Sequence, residues 1–241
     1  MRNWFIATSK KKDEYYDGIR IYADTGLHQL MIQFINKYLK KNQTILDVGA
    51  GEGAFSKRLY DNGFNVEALD IEEEKWKAKE IPFRKLDINK PLPQSINKKY
   101  DSVVCMEVAE HIENAWNLFR EVNEIVEDNG YFFFSTPNVT SYWSRIYFLR
   151  SGYFHQFMPY DLSYGHINPL TFHEIETIAK STNWEVVESE ESGFIPLFDF
   201  SEFKIPVLFA NIFKWFFYLI TKNKKKGWAL VYVFRKKADN N

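Results

Sequence analysis

The chain has 241 residues, 31 Lys+Arg against 32 Asp+Glu for a net charge of −1, and 45% apolar residues. At roughly 150 residues per domain this length fits one large α/β unit with elaborations rather than two complete domains, and the near-zero charge argues against a chain that coats nucleic acid. A single cysteine, Cys105, excludes an internal disulfide and a multi-cysteine zinc site and points to a reducing cytoplasm.

Near the N-terminus, Lys10, Lys11, Lys12, Asp13 and Glu14 follow closely on Trp4, Phe5 and Ile6, so no secretory apolar core is read there. Leu27, Leu30, Met31, Phe34, Ile35, Tyr38 and Leu39 recur at helical spacing, which predicts an amphipathic helix over 23–41 and an N-terminal helical segment over 1–41. A buried strand over Thr44–Val48 runs into a glycine cluster, and helical periodicity resumes over Ala54–Asp61. Asn65–Asp70 reads as a second strand, Glu72–Glu80 as a charged helix-like segment and Pro82–Ile88 as a short third strand. Tyr100–Met106 is the fourth strand, followed by a helix from about Val108 to Val126. Asp128-Asn129-Gly130 then turns into a fifth strand over Tyr131–Ser135. Strands alternating with helices predict a parallel sheet covered on both faces.

Beyond Pro137 the rhythm changes. Residues 139–169 are aromatic and polar and read as a substrate lid. A helix follows over Thr171–Thr182, then strands over Trp184–Ser189 and Trp228–Arg235. The 193–226 insertion between these strands, about 34 residues, is far longer than an ordinary hairpin loop. Within it, Ile205 to Thr221 is apolar at 13 of 17 positions and is followed by Lys222, Lys224, Lys225 and Lys226. That pattern suits a helix lying in the headgroup region of an anionic membrane, or else a homodimer or lid surface through 194–221. Aromatic residues make up 18% of the chain. Their crowding at 142–164 and 194–218 reads as surfaces for an acceptor and for a membrane or partner, rather than as an enlarged core.

The chemistry concentrates where the strands end. Asp47-Val-Gly-Ala-Gly-Glu-Gly53 joins a strand to a helix, where glycines let backbone N–H groups approach a ligand. Asp70 at the end of the second strand can accept both hydroxyls of a ribose, and Asp87 at the end of the third can accept the amino group of an adenine. Together they describe a nucleoside crevice at the carboxyl edge of a sheet. Gly-Ala-Gly-Glu-Gly-Ala also fits the looser dinucleotide pattern, which keeps an NAD-dependent sugar-modifying enzyme open. That alternative would use a Tyr-x-x-x-Lys pair, and none follows Pro137. A non-catalytic module that binds a membrane or partner is a third reading.

On these residues the chain resembles the class I S-adenosylmethionine-dependent methyltransferases. I-L-D-V-G-A-G-E-G looks like their first motif, V-E-A-L-D-I their second, and F-R-K-L-D-I the adenine-contacting segment. V-V-C-M-E-V-A-E-H-I is similar to the fourth-strand motif, and G-Y-F-F-F-S-T-P-N to the fifth strand and its lip. The resemblance covers about residues 25–190. It implies a Rossmann-like, seven-stranded, mostly parallel sheet with an antiparallel last strand, and S-adenosylmethionine as cofactor. The implied cofactor contacts are Asp47, Gly49, Ala50, Gly51, Gly53, Asp70, Ile71, Asp87, Ile88, Cys105 and Met106. Cys105 and Met106 would form the floor under the sulfonium, although a buried Cys105 filling space is the plainer reading.

At helical spacing Glu107, Glu110, His111 and Asn114 share one stripe at the top of the helix that follows the fourth strand. His111 is then a candidate general base oriented by a glutamate, with His166 as its partner from the lid. E-V-A-E-H also resembles the metal-binding E-x-x-E-H of ubiquinone-pathway O-methyltransferases and small-RNA 2′-O-methyltransferases. The resemblance thus implies a divalent ion on Glu107, Glu110, His111 and His166 as an alternative to the base. His155 carries no signal, and His173 reads as a surface or capping residue. The expected acceptor is a hydroxyl of a glycan, a lipid-linked intermediate or a small metabolite, and the expected location is the cytoplasm, with contact at the inner face of a membrane.

Overall fold

The computed structural model describes residues 15–24, 26–92, 95–193 and 227–238. The membrane or dimer segment 194–221 and its lysine run lie outside the described residues. No helix among the described residues is long and apolar enough to cross a membrane.

A two-stranded ribbon, β1 (Tyr15–Tyr16) and β2 (Ile19–Arg20), precedes helix α1 (Leu27–Tyr38). Then come β3 (Thr44–Val48), α2 (Ala54–Asp61), β4 (Asn65–Asp70), β5 (Phe83–Lys85) and β6 (Tyr100–Met106). Helix α3 (Ala115–Ile125) leads into β7 (Val126–Pro137). The lid helices are α4 (Tyr142–Ser151) and α5 (Pro159–Leu162), and α6 (Phe172–Ser181), β8 (Trp184–Ser192) and β9 (Ala229–Lys236) complete the chain. Seven strands form one sheet in the order β5-β4-β3-β6-β7-β9-β8. The first five are parallel, and β9 enters between β7 and β8 antiparallel to both. The chain order reverses direction across β3 and β6, which opens a crevice at their carboxyl ends.

The central strands read as continuous apolar runs because both faces are covered. Leu46, Val103, Cys105, Phe132 and Phe134 belong to the core with α3 and α6, whereas Ile45, Val104 and Phe133 belong to the core with α1 and α2. Phe119 sits edge-on to Phe132, Phe134 and Phe234, each within 5.4 Å between ring centres. The Trp184 indole N–H donates to the Phe119 carbonyl at 3.0 Å. Among the described residues the eight largest fully buried side chains are all aromatic, Trp184, Tyr100 and Tyr232 among them. Part of the aromatic excess is therefore core, where each ring removes on the order of 150–250 Å² from water, while the aromatics of 194–218 lie outside the described residues.

Four local expectations change. The Tyr16-Asp-Gly-Ile19 step is a ribbon turn with both central residues at positive φ, 49° and 75°, not part of a helical segment. Glu72–Glu80 holds only a 3₁₀ turn, Glu73–Lys75. Its Trp76 and Ala78 are buried while Lys77 and Lys79 are exposed, a period of two that packs an extended chain under α2. The third strand shrinks to Phe83–Lys85, and Asp128–Gly130 is absorbed into the long β7.

The helix expected from Val108 is a 3₁₀ turn, Ala109–His111, followed by extended Ile112 and then α3, capped by the Asn114 side chain accepting from the Asn117 N–H. Glu107 has φ 54°, which turns the chain off β6 before a helix can start. The stripe of Glu107, Glu110, His111 and Asn114 therefore does not exist. What the sequence pattern places on one helix face is distributed over a strand tip, a turn and a cap.

Candidate functional site

A cavity of about 870 Å³ opens at the carboxyl ends of β3, β4 and β6, within the range of small-molecule sites. Its floor is the turn after β3. Gly49 and Ala50 both donate backbone N–H to the Leu69 carbonyl, at 2.9 and 3.1 Å, which pins the turn to the tip of β4. Gly49 has φ 71°, and a Cβ there would lie 2.4 Å from Val108 Cγ2. Gly51 (φ 56°) faces open space, so the backbone there is bare toward the cavity. Gly53 serves differently. It lies off the cavity wall, and a Cβ on it would strike Trp76 and Ala78 at 2.7 and 2.9 Å, so it lets the 76–78 chain pass beneath α2.

Asp70 closes the turn from the other side. Its Oδ2 accepts the Gly51 N–H at 2.8 Å and its Oδ1 the Glu72 N–H at 2.9 Å. Each oxygen retains a lone pair for a ligand hydroxyl. Asp87 stands in the loop after β5 rather than on the strand, held by the Asn89 N–H at 3.0 Å, and it lines the cavity with Ile71 and Ile88. Asp47 is 3% exposed and accepts from Ser56 Oγ at 2.5 Å. Burial pushes its carboxyl up to about 7; the Ser56 hydrogen bond opposes this and the Asp70 charge adds to it.

A folded-state value above the unfolded one means that ionised Asp47 destabilises the fold progressively as pH climbs from about 4 to 7. Asp47→Asn keeps the shape and removes the titration. It should leave stability unchanged near pH 4 and raise it by on the order of 2–4 kcal/mol above pH 7. Melting curves at both pH values check this; a gain that does not grow with pH overturns it.

The acceptor end is built from the 3₁₀ turn and the lid. Ligand atoms of Glu110, His111 and His166 all lie within 4.8 Å of one another. The His111 and His166 rings meet edge-on at 4.7 Å, and His166 Nδ1 is bonded to the Gln156 carbonyl at 2.7 Å, which leaves its Nε2 for other work. The Ile167 and Asn168 N–H groups donate to the Glu110 carbonyl at 2.8 and 3.0 Å, so the lid is tied to the turn that carries His111. Burial and then the Glu107 charge hold Glu110 well above the carboxylate range. Desolvation by surrounding atoms and then the His166 ring lower His111, although the residue as a whole is exposed.

Glu107 lines the cavity but stays outside this cluster, its carboxylate accepting from Ser135 Oγ at 2.8 Å. Met106 also lines the cavity. Cys105 does not: it is fully buried in the α3 core, as strand alternation requires of Met106's neighbour, and burial raises its thiol far above the reactive range. Glu110 is buried off the cavity wall, its Oε2 accepting from Thr136 Oγ1 at 3.2 Å. Of the lid aromatics, Tyr164 alone lines the cavity; Tyr142 and Phe157 are buried beneath the lid, and Tyr153 and Tyr160 face outward. The His155 ring packs on Trp228 at 4.7 Å, and His173 is exposed.

The opposite wall comes from Arg20, Tyr22, Asp24 and His28, in the N-terminal segment expected to be helical and in which the sequence marks no site residue. The Asp-Gly turn between Tyr16 and Ile19 was the available signal, since that dipeptide between short apolar runs marks a hairpin. Phe55 of α2, Gln156 and Asp161 also line the cavity without having been singled out.

A mostly parallel sheet with an antiparallel strand inserted before its edge, over a glycine turn and three acids, defines the class I methyltransferase architecture. Residues 23–189 match the family described as a methyltransferase domain, and the chain belongs to that family. It is similar to the ubiquinone biosynthesis O-methyltransferase of Hydrogenovibrio crunogenus, 32% identical over 123 residues, 46% of this chain and 50% of that protein. The protein of the same name from Rickettsia canadensis is 36% identical over 100 residues, 39% of this chain and 42% of that one. The chain thus spans about half the length of the curated relatives it matches. In fold it resembles a SAM-dependent methyltransferase from Archaeoglobus fulgidus, with a TM-score of 0.58 at 18% identity over 87% of this chain and 94% of that one. It also resembles the magnesium protoporphyrin IX methyltransferase of Synechocystis with bound SAH, with a TM-score of 0.58 at 14% identity over 88% and 84%.

Proposed function

We propose that the protein transfers a methyl group from S-adenosylmethionine to a hydroxyl of a small metabolite, glycan or lipid-linked acceptor. The observation that carries this reading is the meeting, on one cavity, of a bare glycine backbone with Asp47, Asp70 and Asp87 at or beside three successive strand ends. Gly51 offers open space where a Cβ would intrude, so the residues present fit a nucleoside against the turn. When bound, the sulfonium supplies the methyl group, displaced in line by the acceptor oxygen. Asp70 orients the ribose and Asp87 the adenine, while Asp47 faces the ammonium of the methionine. His111 takes the acceptor's proton at an imidazole nitrogen as the new C–O bond forms, and His166 holds the lid against it. The relatives named as O-methyltransferases support a hydroxyl acceptor. The lysine-flanked run 205–221 favours an acceptor met at an anionic membrane face.

Glu110, His111 and His166 also form a donor set of one carboxylate and two imidazoles, which fits a divalent ion that would lower the acceptor hydroxyl's pKa instead. Calorimetry with S-adenosylmethionine, followed by methyl transfer from labelled cofactor into lipid, sugar and protein fractions of a cell extract, tests the reading. Cofactor binding with label in the lipid or sugar fraction is expected. No binding refutes it. Transfer that survives EDTA assigns the proton to His111, and transfer lost to EDTA and restored by Mg²⁺ or Mn²⁺ assigns the cluster to the metal.

A further inference from the structure

We propose that Gln156 is a positioning residue: its backbone turn aims a carbonyl at the His166 ring and thereby fixes which ring nitrogen carries the proton. Among the described residues, six non-glycine positions have positive φ. Four are Asp17, Asn42, Asn129 and Asn183, whose short polar side chains tolerate that conformation. The other two, Glu107 at 54° and Gln156 at 69°, both line the cavity. Strain of this kind persists only where the surroundings over-determine it, and it gathers at functional sites. At Glu107 it turns the chain off β6. Gln156 lies inside the loop between α4 and α5, so its conformation neither ends nor begins an element.

What the turn at Gln156 achieves is the direction of its carbonyl, which meets His166 Nδ1 at 2.7 Å, ten residues along the chain. A carbonyl oxygen only accepts, so Nδ1 carries the ring proton and, in the neutral ring, Nε2 keeps a lone pair. Both partners are held from outside the contact. Before Gln156, the His155 backbone N–H donates to the buried Ser144 Oγ at 3.1 Å, and the His155 ring packs on Trp228. After it, Phe157 is buried, with its ring 5.6 Å from that of His166. Asp161 ties the other end: its Oδ2 accepts the Met158 N–H at 2.9 Å, and its carbonyl accepts the His166 backbone N–H at 3.2 Å. The tautomer follows from these contacts alone. What the lone pair serves rests on the reading above, where it can share the proton that His111 takes up or ligate an ion. A ring protonated at Nε2 instead serves neither.

Protein labelled at the histidine nitrogens tests this, because long-range proton–nitrogen correlations in the NMR spectrum show, for each of the five rings, which nitrogen bears hydrogen. A spectrum of His166→Asn identifies the His166 signals. Wild type should show His166 protonated at Nδ1. Gln156→Gly removes the side chain but adopts positive φ freely, and it should keep that form. Gln156→Val also removes the amide side chain, but its β-branched residue resists positive φ, so the carbonyl should swing away and the Nε2–H form should appear. The valine variant should also transfer methyl from labelled cofactor into the extract about 10-fold or more slowly than the glycine variant. Their affinities for S-adenosylhomocysteine, by calorimetry, should agree within about twofold. His166 protonated at Nε2 in wild type, or at Nδ1 in the valine variant, overturns the assignment. Should the valine variant fail to fold, the wild-type and glycine spectra decide it, and loss of the Nδ1–H form on Gln156→Gly overturns it. Wild-type protein that shows the Nδ1–H form yet neither binds cofactor nor transfers methyl refutes the functional reading and leaves the assignment of Gln156 standing.

Discussion

Asp70→Asn should weaken S-adenosylmethionine binding by about 100-fold or more while the protein still folds. The carboxylate stands at the tip of β4 and already closes the glycine turn through the Gly51 and Glu72 N–H groups. In the proposed bound state the same two oxygens would receive the ribose hydroxyls, and hydrogen bonds to a charged acceptor contribute about 1.5–3 kcal/mol each. The amide retains one oxygen for the turn but presents an NH₂ donor where a second acceptor is needed, so the ligand loses more than the fold. Titration calorimetry and a melting curve on the same variant separate the two effects. Methylthioadenosine should lose as much affinity as the full cofactor, because both carry the ribose. Undiminished binding by Asp70→Asn would overturn the orientation of the nucleoside in the cavity.

Gly49→Ala should have the largest effect on the fold of any change at the site. Two independent strains meet there: a non-glycine residue at φ 71° costs about 1–2 kcal/mol, and the new methyl would lie 2.4 Å from Val108 Cγ2. Overpacking of a tight contact adds roughly 1–3 kcal/mol. The sum, on the order of 2–5 kcal/mol, should lower the melting temperature by about 5–15 °C in a chain of this size. Val108→Ala in the same background should recover the part due to the clash and leave the part due to the backbone. A double-mutant cycle measures that coupling. If the second substitution recovers nothing, the contact is not the source of the strain. Val108 directly precedes the turn that carries His111. Pushing it away should therefore reduce methyl transfer more than cofactor affinity.

The meeting of Asp47, the glycine turn and Asp70 on one cavity was legible in the sequence because these residues sit at the ends of consecutive strands, where chain order and spatial order coincide. Asp47, the glycines and Asp70 lie within one strand-turn-helix-strand unit, and β3 pairs directly with β4. Glu107, Glu110 and His111 were found as a group but misplaced. A helical wheel presumes a helix, and the positive φ of Glu107 breaks the chain into a turn that places Glu110 and His111 beside the lid and leaves Glu107 against Ser135. Trp76 and Ala78 mislead in the opposite sense, since their charged neighbours resemble a solvated helix although their alternation marks a buried extended chain. His28 was not legible at all. A histidine near the start of an amphipathic helix has no pattern that distinguishes a packed ring from one that lines a cavity.

The sequence by itself determined the main order of strands and helices, the crevice at the carboxyl edge of the sheet and the family, because hydrophobic period and glycine spacing are local consequences of backbone geometry. Only the tertiary structure decided which aromatic residues are core and which face the lid, that Cys105 is buried while Met106 lines the cavity, and that His111 meets His166. Those outcomes depend on which face of the sheet a strand residue occupies and on where a distant segment crosses it. Long-range packing sets both, and no short stretch of chain encodes either.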